Sequence, residues 1–234
     1  MEGRTLKTIA RIHTDFASKF GVPRQSGLVE ELEGELIFEP EYRRPEALLG
    51  MEEYSHLWLL WDFSEVKKKN WSATVYPPRL GGKEKRGVFA TRSPFRPNPI
   101  GLSCVRLVRI EWEGENAPKL VVAGADLMNG TPIYDIKPYL PYADALPDAR
   151  GGFGQEHRED GIAVEFPEEL LERLPKEKRA AALGVLRQDP RAAYQKQPDF
   201  IYGMAFGGWD IRFTVADGIL KVQDVVPQGS ENVK

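Results

Sequence analysis

The sequence has one cysteine, Cys104, so no disulfide can form within the chain, and cysteine-based zinc sites and redox pairs are excluded. Its three histidines, His13, His56 and His157, are scattered, with no two at metal-ligand spacing. Long apolar runs are also missing. The run Leu57–Trp61 is far short of the ~20 residues a membrane helix needs. Met1–Arg11 mixes acids and bases with no apolar block behind it, so no signal peptide is expected. These absences predict a cytoplasmic protein in reducing surroundings, with no metal and no membrane partner. The patterns GxGxxG, GxxxxGK[ST] and GxSxG do not occur, which leaves dinucleotide, P-loop and serine-hydrolase chemistry without support.

Acid is scarce in one window. Between Val66 and Arg109 there are eleven bases and a single acid, Glu84, so the window carries +10. The whole chain carries −3, which leaves −13 on the rest. Trp71, Tyr76 and Phe95 interleave the bases, as on surfaces that bind polyanions with exposed bases. A solvated lysine-rich loop would give the same charge pattern, and charge alone does not separate the two.

What is present is a chain of 234 residues with an ordinary share of apolar and charged residues, enough for one or two folded units. Short alternating or apolar stretches at 7–14, 34–40, 55–63, 86–91, 100–112, 119–125 and 132–138 read as strands, and 45–53 reads as a short helix or turn. Glycine and proline punctuate them, and helix-like stretches are nearly absent. This predicts a closed or nearly closed β-barrel over residues 1–150. The stretch 138–161 reads as a linker or ordered loop. Beyond it, 167–174 and 176–188 read as helices, and 200–206, 209–216 and 219–226 as strands, the last two joined at Asp217-Gly218. The expected fold is therefore mainly β, with an N-terminal barrel and a small α+β unit over 155–227.

Three segments carry chemistry. The loop Phe20–Leu28 is stiffened by Gly21, Pro23 and Gly27 and presents Arg24 and Gln25. The segment Gly87–Ser103 holds Pro94, Pro97 and Pro99, which fix φ and remove three backbone donors. It predicts a rigid loop presenting Arg92, Arg96 and Asn98 with little entropy left to lose on binding. In the third, Gly124–Tyr142, Asp126 and Asn129 flank a turn, where they either bind a ligand or satisfy backbone donors. Asp135 and Lys137 share one strand face and form either a plain ion pair or a charged lining of a cavity.

These segments carry a resemblance. VPRQSGL at 22–28, SHLWLLW at 55–61, PPRLGGKEKRGVFATRSPFRPNPIGLS at 77–103, GADLMNGTPIYDIKPYLPYAD at 124–144 and QDPRAAYQ at 188–195 resemble the S-adenosylmethionine-dependent methyltransferases that methylate N6-threonylcarbamoyladenosine beside the tRNA anticodon. The resemblance implies a β-barrel catalytic domain, a homodimer and a tRNA substrate carrying threonylcarbamoyladenosine. It implies a cofactor site formed by Pro23, Arg24 and Gln25, by Ser64 and Glu65, by Arg92 and Leu102, and by Asp126, Leu127, Met128 and Asn129. Ser64-Glu65 departs from the family's more usual histidine-containing pair, and Ala192 stands where the family usually has proline.

A sulfonium methyl is already activated, so the enzyme's main task is in-line placement of methyl and nitrogen. The acceptor nitrogen lies between a purine and a carbonyl, so a base, or donors to the developing oxyanion, would help. Asp135 is the expected base, with Arg96 or Lys137 holding the threonine carboxylate and Asn98 completing the polar set. Arg191 and Tyr194 are expected either to meet RNA or to pack structurally. A fragment ending near Ala149 is expected to keep the cofactor loops. The alternative reading is a non-catalytic barrel that binds S-adenosylmethionine or RNA.

Overall fold

The computed structural model describes residues 5–66, 70–156, 161–191 and 200–229. Six strands close a barrel: β1 (Ala10–His13), β2 (Glu33–Phe38), β3 (His56–Asp62), β6 (Ile100–Glu111), β7 (Lys119–Ala123) and β8 (Thr131–Pro138). The order around the wall is β1-β2-β7-β6-β3-β8, and every pairing is antiparallel. Alternation along the strands selects the inner face. Ile12, Leu36, Leu57, Leu59, Val105, Leu120 and Ile133 point in and are almost fully buried, while their neighbours face out.

The connection from β3 to β6 is long and contains a two-stranded ribbon, β4 (Thr74–Val75) with β5 (Arg86–Gly87). The strand expected over 86–91 is only this short β5, followed by a 3-10 turn at Val88–Ala90. The reason is visible in the register: after Gly87 the chain has no further partner strand. Short helices α1 (Pro141–Asp144) and α2 (Phe153–Glu156) follow the barrel.

The second sheet has the order β10-β11-β12-β9, with β10 (Tyr202–Phe206), β11 (Trp209–Ala216), β12 (Ile219–Pro227) and β9 (Ala163–Glu165). β9 runs parallel to β12 and was not expected from the sequence; three residues are too few to show a period. Helices α3 (Glu168–Leu171) and α4 (Lys176–Arg187) pack on this sheet, α4 through Ala181, Ala182, Val185 and Leu186. Prolines 167 and 175 precede the two helices, as their fixed φ allows.

The two cores are not independent in sequence. Between β1 and β2 the chain leaves the barrel, and Phe16, Val29 and Leu32 enter the core of the C-terminal sheet, with Phe20 and Val22 packed against them. Gly184 of α4 lies so close to this segment that a Cβ there would sit 2.5 Å from Val29 Cγ1. The segment is thus clamped between both units. A fragment ending near Ala149 would expose Phe16, Val29 and Leu32, each worth roughly 1.5–3 kcal/mol of burial. Such a fragment would keep residues 20–28 without these packing partners.

Candidate active site

The clamped segment carries the first loop. Pro23 is buried, and Arg24 and Gln25 are half-buried. The Gln25 amide donates to the Arg24 carbonyl at 2.5 Å, and its carbonyl oxygen accepts from the Arg92 guanidinium. The Gly27 N–H donates to the Gly124 carbonyl at 2.8 Å, and the Gly124 N–H donates to the Leu32 carbonyl at 2.8 Å. Gly124 has a φ of +78°, which a residue with a side chain rarely adopts, so the crossing of the first and third segments requires glycine.

The third loop, Asp126–Asn129, is bound to the start of the same segment. Thr14 donates its N–H to Asn129 Oδ1 at 3.2 Å and its hydroxyl to the Leu127 carbonyl at 3.0 Å. The Asn129 N–H donates to the Phe16 carbonyl at 2.9 Å. The side chain of Leu127 is in the barrel core, so any ligand contact from it is through the main chain. Met128 is half-buried, and its carbonyl accepts from the Thr131 hydroxyl at 2.8 Å.

Asp126 is the electrostatic centre. Its carboxylate accepts from Ser103 Oγ at 2.5 Å, and Ser103 Oγ accepts from the Trp61 indole N–H at 2.9 Å. Burial pushes the Asp126 carboxyl above the usual carboxylate range; the Ser103 hydrogen bond and, more weakly, the Arg92 charge oppose it. The backbone here is fixed by Gly101, because a Cβ on it would fall 2.1 Å from the Trp61 ring. Trp61 therefore lies flat on the strand and directs its N–H to Ser103. The result is a desolvated carboxylate with one hydroxyl donor, suited to a cation, beside a guanidinium suited to a carboxylate. Such a donor set fits S-adenosylmethionine, which carries a sulfonium, an ammonium and a carboxylate.

Other expected residues lie apart from this group. Leu102, half exposed, sits on the outer face of β6, level with Leu60 and Asp135 in the register. Ser64 and Glu65 are exposed in the turn after β3. Asp135 and Lys137 form the ion pair that their spacing allowed, at 2.9 Å, and Asp135 Oδ1 also accepts from the Ile136 N–H at 3.0 Å. Arg96 turns inward on its own loop: its Nη1 donates to the Thr91 and Ser93 carbonyls at 3.0 and 3.1 Å. It braces the proline loop. Asn98 is exposed. Arg191 is nearly covered, with its guanidinium bonded to both Asp189 oxygens at 2.8 and 2.9 Å and lying over the Tyr202 ring. Of the two readings of Arg191, this burial favours structural packing over contact with RNA phosphate. Tyr194 and Lys67, Lys68 and Lys69 lie outside the described residues. Among the described residues no cluster of potential metal ligands occurs, and no helix is long and apolar enough to cross a membrane.

Residues 11–145 match the tRNA-methyltransferase O N-terminal domain, and residues 159–228 match the TrmO C-terminal domain. The chain belongs to the TrmO family. It is 40% identical over 236 residues to the tRNA (adenine(37)-N6)-methyltransferase of Escherichia coli K12, covering 97% of this chain and 100% of that protein. It is 44% identical over 174 residues to a protein of that name from Eikenella corrodens, covering 74% and 97%. A Pseudomonas aeruginosa relative, provisionally named an S-adenosylmethionine-dependent methyltransferase, is 42% identical over 215 residues, covering 88% and 90%. A crystal structure of TrmO from Pseudomonas aeruginosa superposes with a TM-score of 0.77 at 36% identity, covering 96% of this chain and 100% of that one.

Within this TrmO architecture, sequence reasoning missed Ser103, Trp61 and Ser26, whose hydroxyl accepts from the Cys104 N–H at 3.1 Å. It also missed Tyr134. The register between β3 and β8 shifts between Leu60 and Trp61, so Tyr134 is the extra residue of a bulge. Its phenol is pushed up by burial and then by the Asp62 carboxylate, which it hydrogen-bonds. All of these residues sit inside or beside the motifs quoted above, but nothing in their spacing reveals which side of the wall each faces.

Proposed function

We infer that this chain is an S-adenosylmethionine-dependent methyltransferase acting on N6 of adenine 37 in tRNA. The observation that carries this is the convergence of Gln25, Arg92 and Asp126 from three separate loops in a chain that matches the tRNA (adenine(37)-N6)-methyltransferases of Escherichia coli and Eikenella corrodens along nearly their whole length. The modified base is threonylcarbamoyladenosine, a reading supported by the cation and carboxylate at Lys137 and Asp135 on the barrel's outer face.

S-adenosylmethionine supplies a methyl on a sulfonium. Asp126 would hold the cofactor's positively charged groups, and Arg92, aligned by Gln25, would hold its carboxylate. Pro23, Arg24 and the main chain of 127–129 would complete the enclosure. Asp135 would take the N6 proton, and Lys137 would pair with the threonine carboxylate. Arg96 keeps the proline loop rigid, and Asn98 completes the polar set beside the acceptor. The N-terminal unit, 1–150, holds these groups; the C-terminal unit, 155–227, shares residues 15–32 with it. The protein acts in the cytoplasm as a homodimer. Support for the second copy is the outer face of β6 and β3, which leaves Ile100 and Leu102 exposed beside Leu60.

The experiment is incubation with methyl-labelled cofactor and tRNA prepared with and without the threonylcarbamoyl group. Label enters RNA only when the group is present. Tight cofactor binding with no transfer to either RNA would overturn the reading.

A further inference from the structure

Beside the acceptor side of the barrel, the β3–β6 connection folds back on the proline loop and leaves a cavity of about 180 Å³. Its walls include Trp71, Pro94, Phe95, Arg96, Pro97 and Pro99. Trp71 and Phe95 are 52% and 37% exposed, so their rings are reachable from solvent. The cavity is below the ~300–1,000 Å³ of sites that enclose a whole drug-sized ligand. It therefore takes one flat ring and leaves whatever bears that ring outside.

The walls are preorganised. Three prolines fix the loop, Arg96 braces it through the Thr91 and Ser93 carbonyls, and the Ser72 N–H donates to the Phe95 carbonyl at 3.0 Å, which ties Trp71's segment to it. Trp71 is further backed by Phe89, with ring centroids 6.4 Å apart and planes 22° apart. The far wall reaches the cofactor loops: the Phe63 N–H donates to the Pro99 carbonyl at 3.0 Å, and the Phe63 ring lies 4.3 Å from Trp61, which bonds Ser103 and so Asp126. In the same β3–β6 connection, Lys85 lies over the Tyr76 ring and Arg86 over the Phe153 ring, and both cations belong to the +10 window.

We propose that this cavity is a stacking slot for one unpaired nucleobase of the RNA substrate, a neighbour of the base being methylated. The proposal rests on the tRNA reading above. Aromatic and proline walls accept any base by its face, and the surrounding bases meet the phosphates on either side. The charge selects RNA over an apolar peptide, and the separate Gln25–Arg92–Asp126 set accounts for the cofactor.

The test uses the full-length protein and anticodon stem-loops carrying the modified adenosine, intact or with one abasic sugar at each loop position in turn. Trp71→Ala raises the KM for intact RNA by about tenfold, Trp71→Phe restores most of it, and cofactor affinity is unchanged. At one abasic position the wild type loses the same factor and Trp71→Ala loses nothing more. Binding is also read directly, as the RNA-dependent quenching of tryptophan emission that Trp71→Phe removes. Equal extra losses at every abasic position, or a fall in cofactor affinity instead of RNA affinity, would overturn the slot. Failure of the wild type to transfer methyl would overturn the function, while the quenching measurement still decides the slot.

Discussion

Lys178 on α4 holds both carboxylate oxygens of Asp15, at 2.6 and 2.7 Å. Asp15 directly follows β1's exit from the barrel, and its carbonyl accepts from the Gly207 N–H of the C-terminal hairpin at 2.9 Å. Its side chain is only 13% exposed, so the pair is worth more than a surface ion pair. The C-terminal unit therefore grips the segment that leads to Arg24 and Gln25.

Lys178→Met leaves Asp15 without its partner. We expect a loss of about 1–3 kcal/mol and a rise in the KM for the cofactor larger than any fall in kcat. Lys178→Arg restores both. A melting-temperature drop with unchanged KM would show that the pair only stabilises the fold. Differential scanning calorimetry and steady-state kinetics separate the outcomes.

A fragment ending at Ala149 loses the partners of Phe16, Val29 and Leu32. It is expected to bind the cofactor far more weakly than the full chain, as read by calorimetry. Full affinity would show that the barrel alone fixes residues 20–28.

Asp126→Asn keeps an acceptor for Ser103 and removes a buried charge. Because the native carboxyl titrates above its unfolded value, ionising it costs the folded state stability as pH rises through the native pKa. The variant is therefore more stable at neutral pH, by about 2–4 °C per kcal/mol. The gain disappears below about pH 4, the ordinary range for aspartate. Cofactor affinity of the wild type falls as pH drops through the raised native pKa, and that of the variant is weak and flat. A wild-type profile that breaks only in the ordinary aspartate range would exclude Asp126 as the charged contact.

Asp135 and Lys137 are 44% and 63% exposed, so their pair adds at most about 1 kcal/mol to stability. Asp135→Asn should leave the melting temperature nearly unchanged while lowering kcat by roughly 10²-fold. Single-turnover methyl transfer checks this, and an unchanged rate would remove Asp135 as the base.

Replacing Lys83, Lys85 and Arg86 with alanine removes two ring-stacked cations and one more base from the β3–β6 connection. tRNA affinity should fall, and the slope of log affinity against log salt should flatten by up to about two, since Arg86 also pairs with Glu84. Cofactor affinity stays the same. An unaltered slope in a salt titration would make this charge mere solvation.

The sequence by itself determined the barrel strands, the α4 amphipathic face, the rigidity of the proline loop and the spacing that pairs Asp135 with Lys137. These depend on neighbours within a few residues, through period, proline φ and turn chemistry. It did not determine which polar residues meet. Ser103 and Asp126 are separated by 23 positions and Lys178 and Asp15 by 163; the antiparallel register of β6 and β7 brings the first pair together and the packing of α4 the second. Arg96 and Arg191 look alike as exposed cations in sequence, yet folding turns one onto its own loop carbonyls and the other onto Asp189. The tertiary structure alone decided these placements, because long-range contacts follow from the geometry of the closed wall and of two cores that share residues 15–32, which no local pattern encodes.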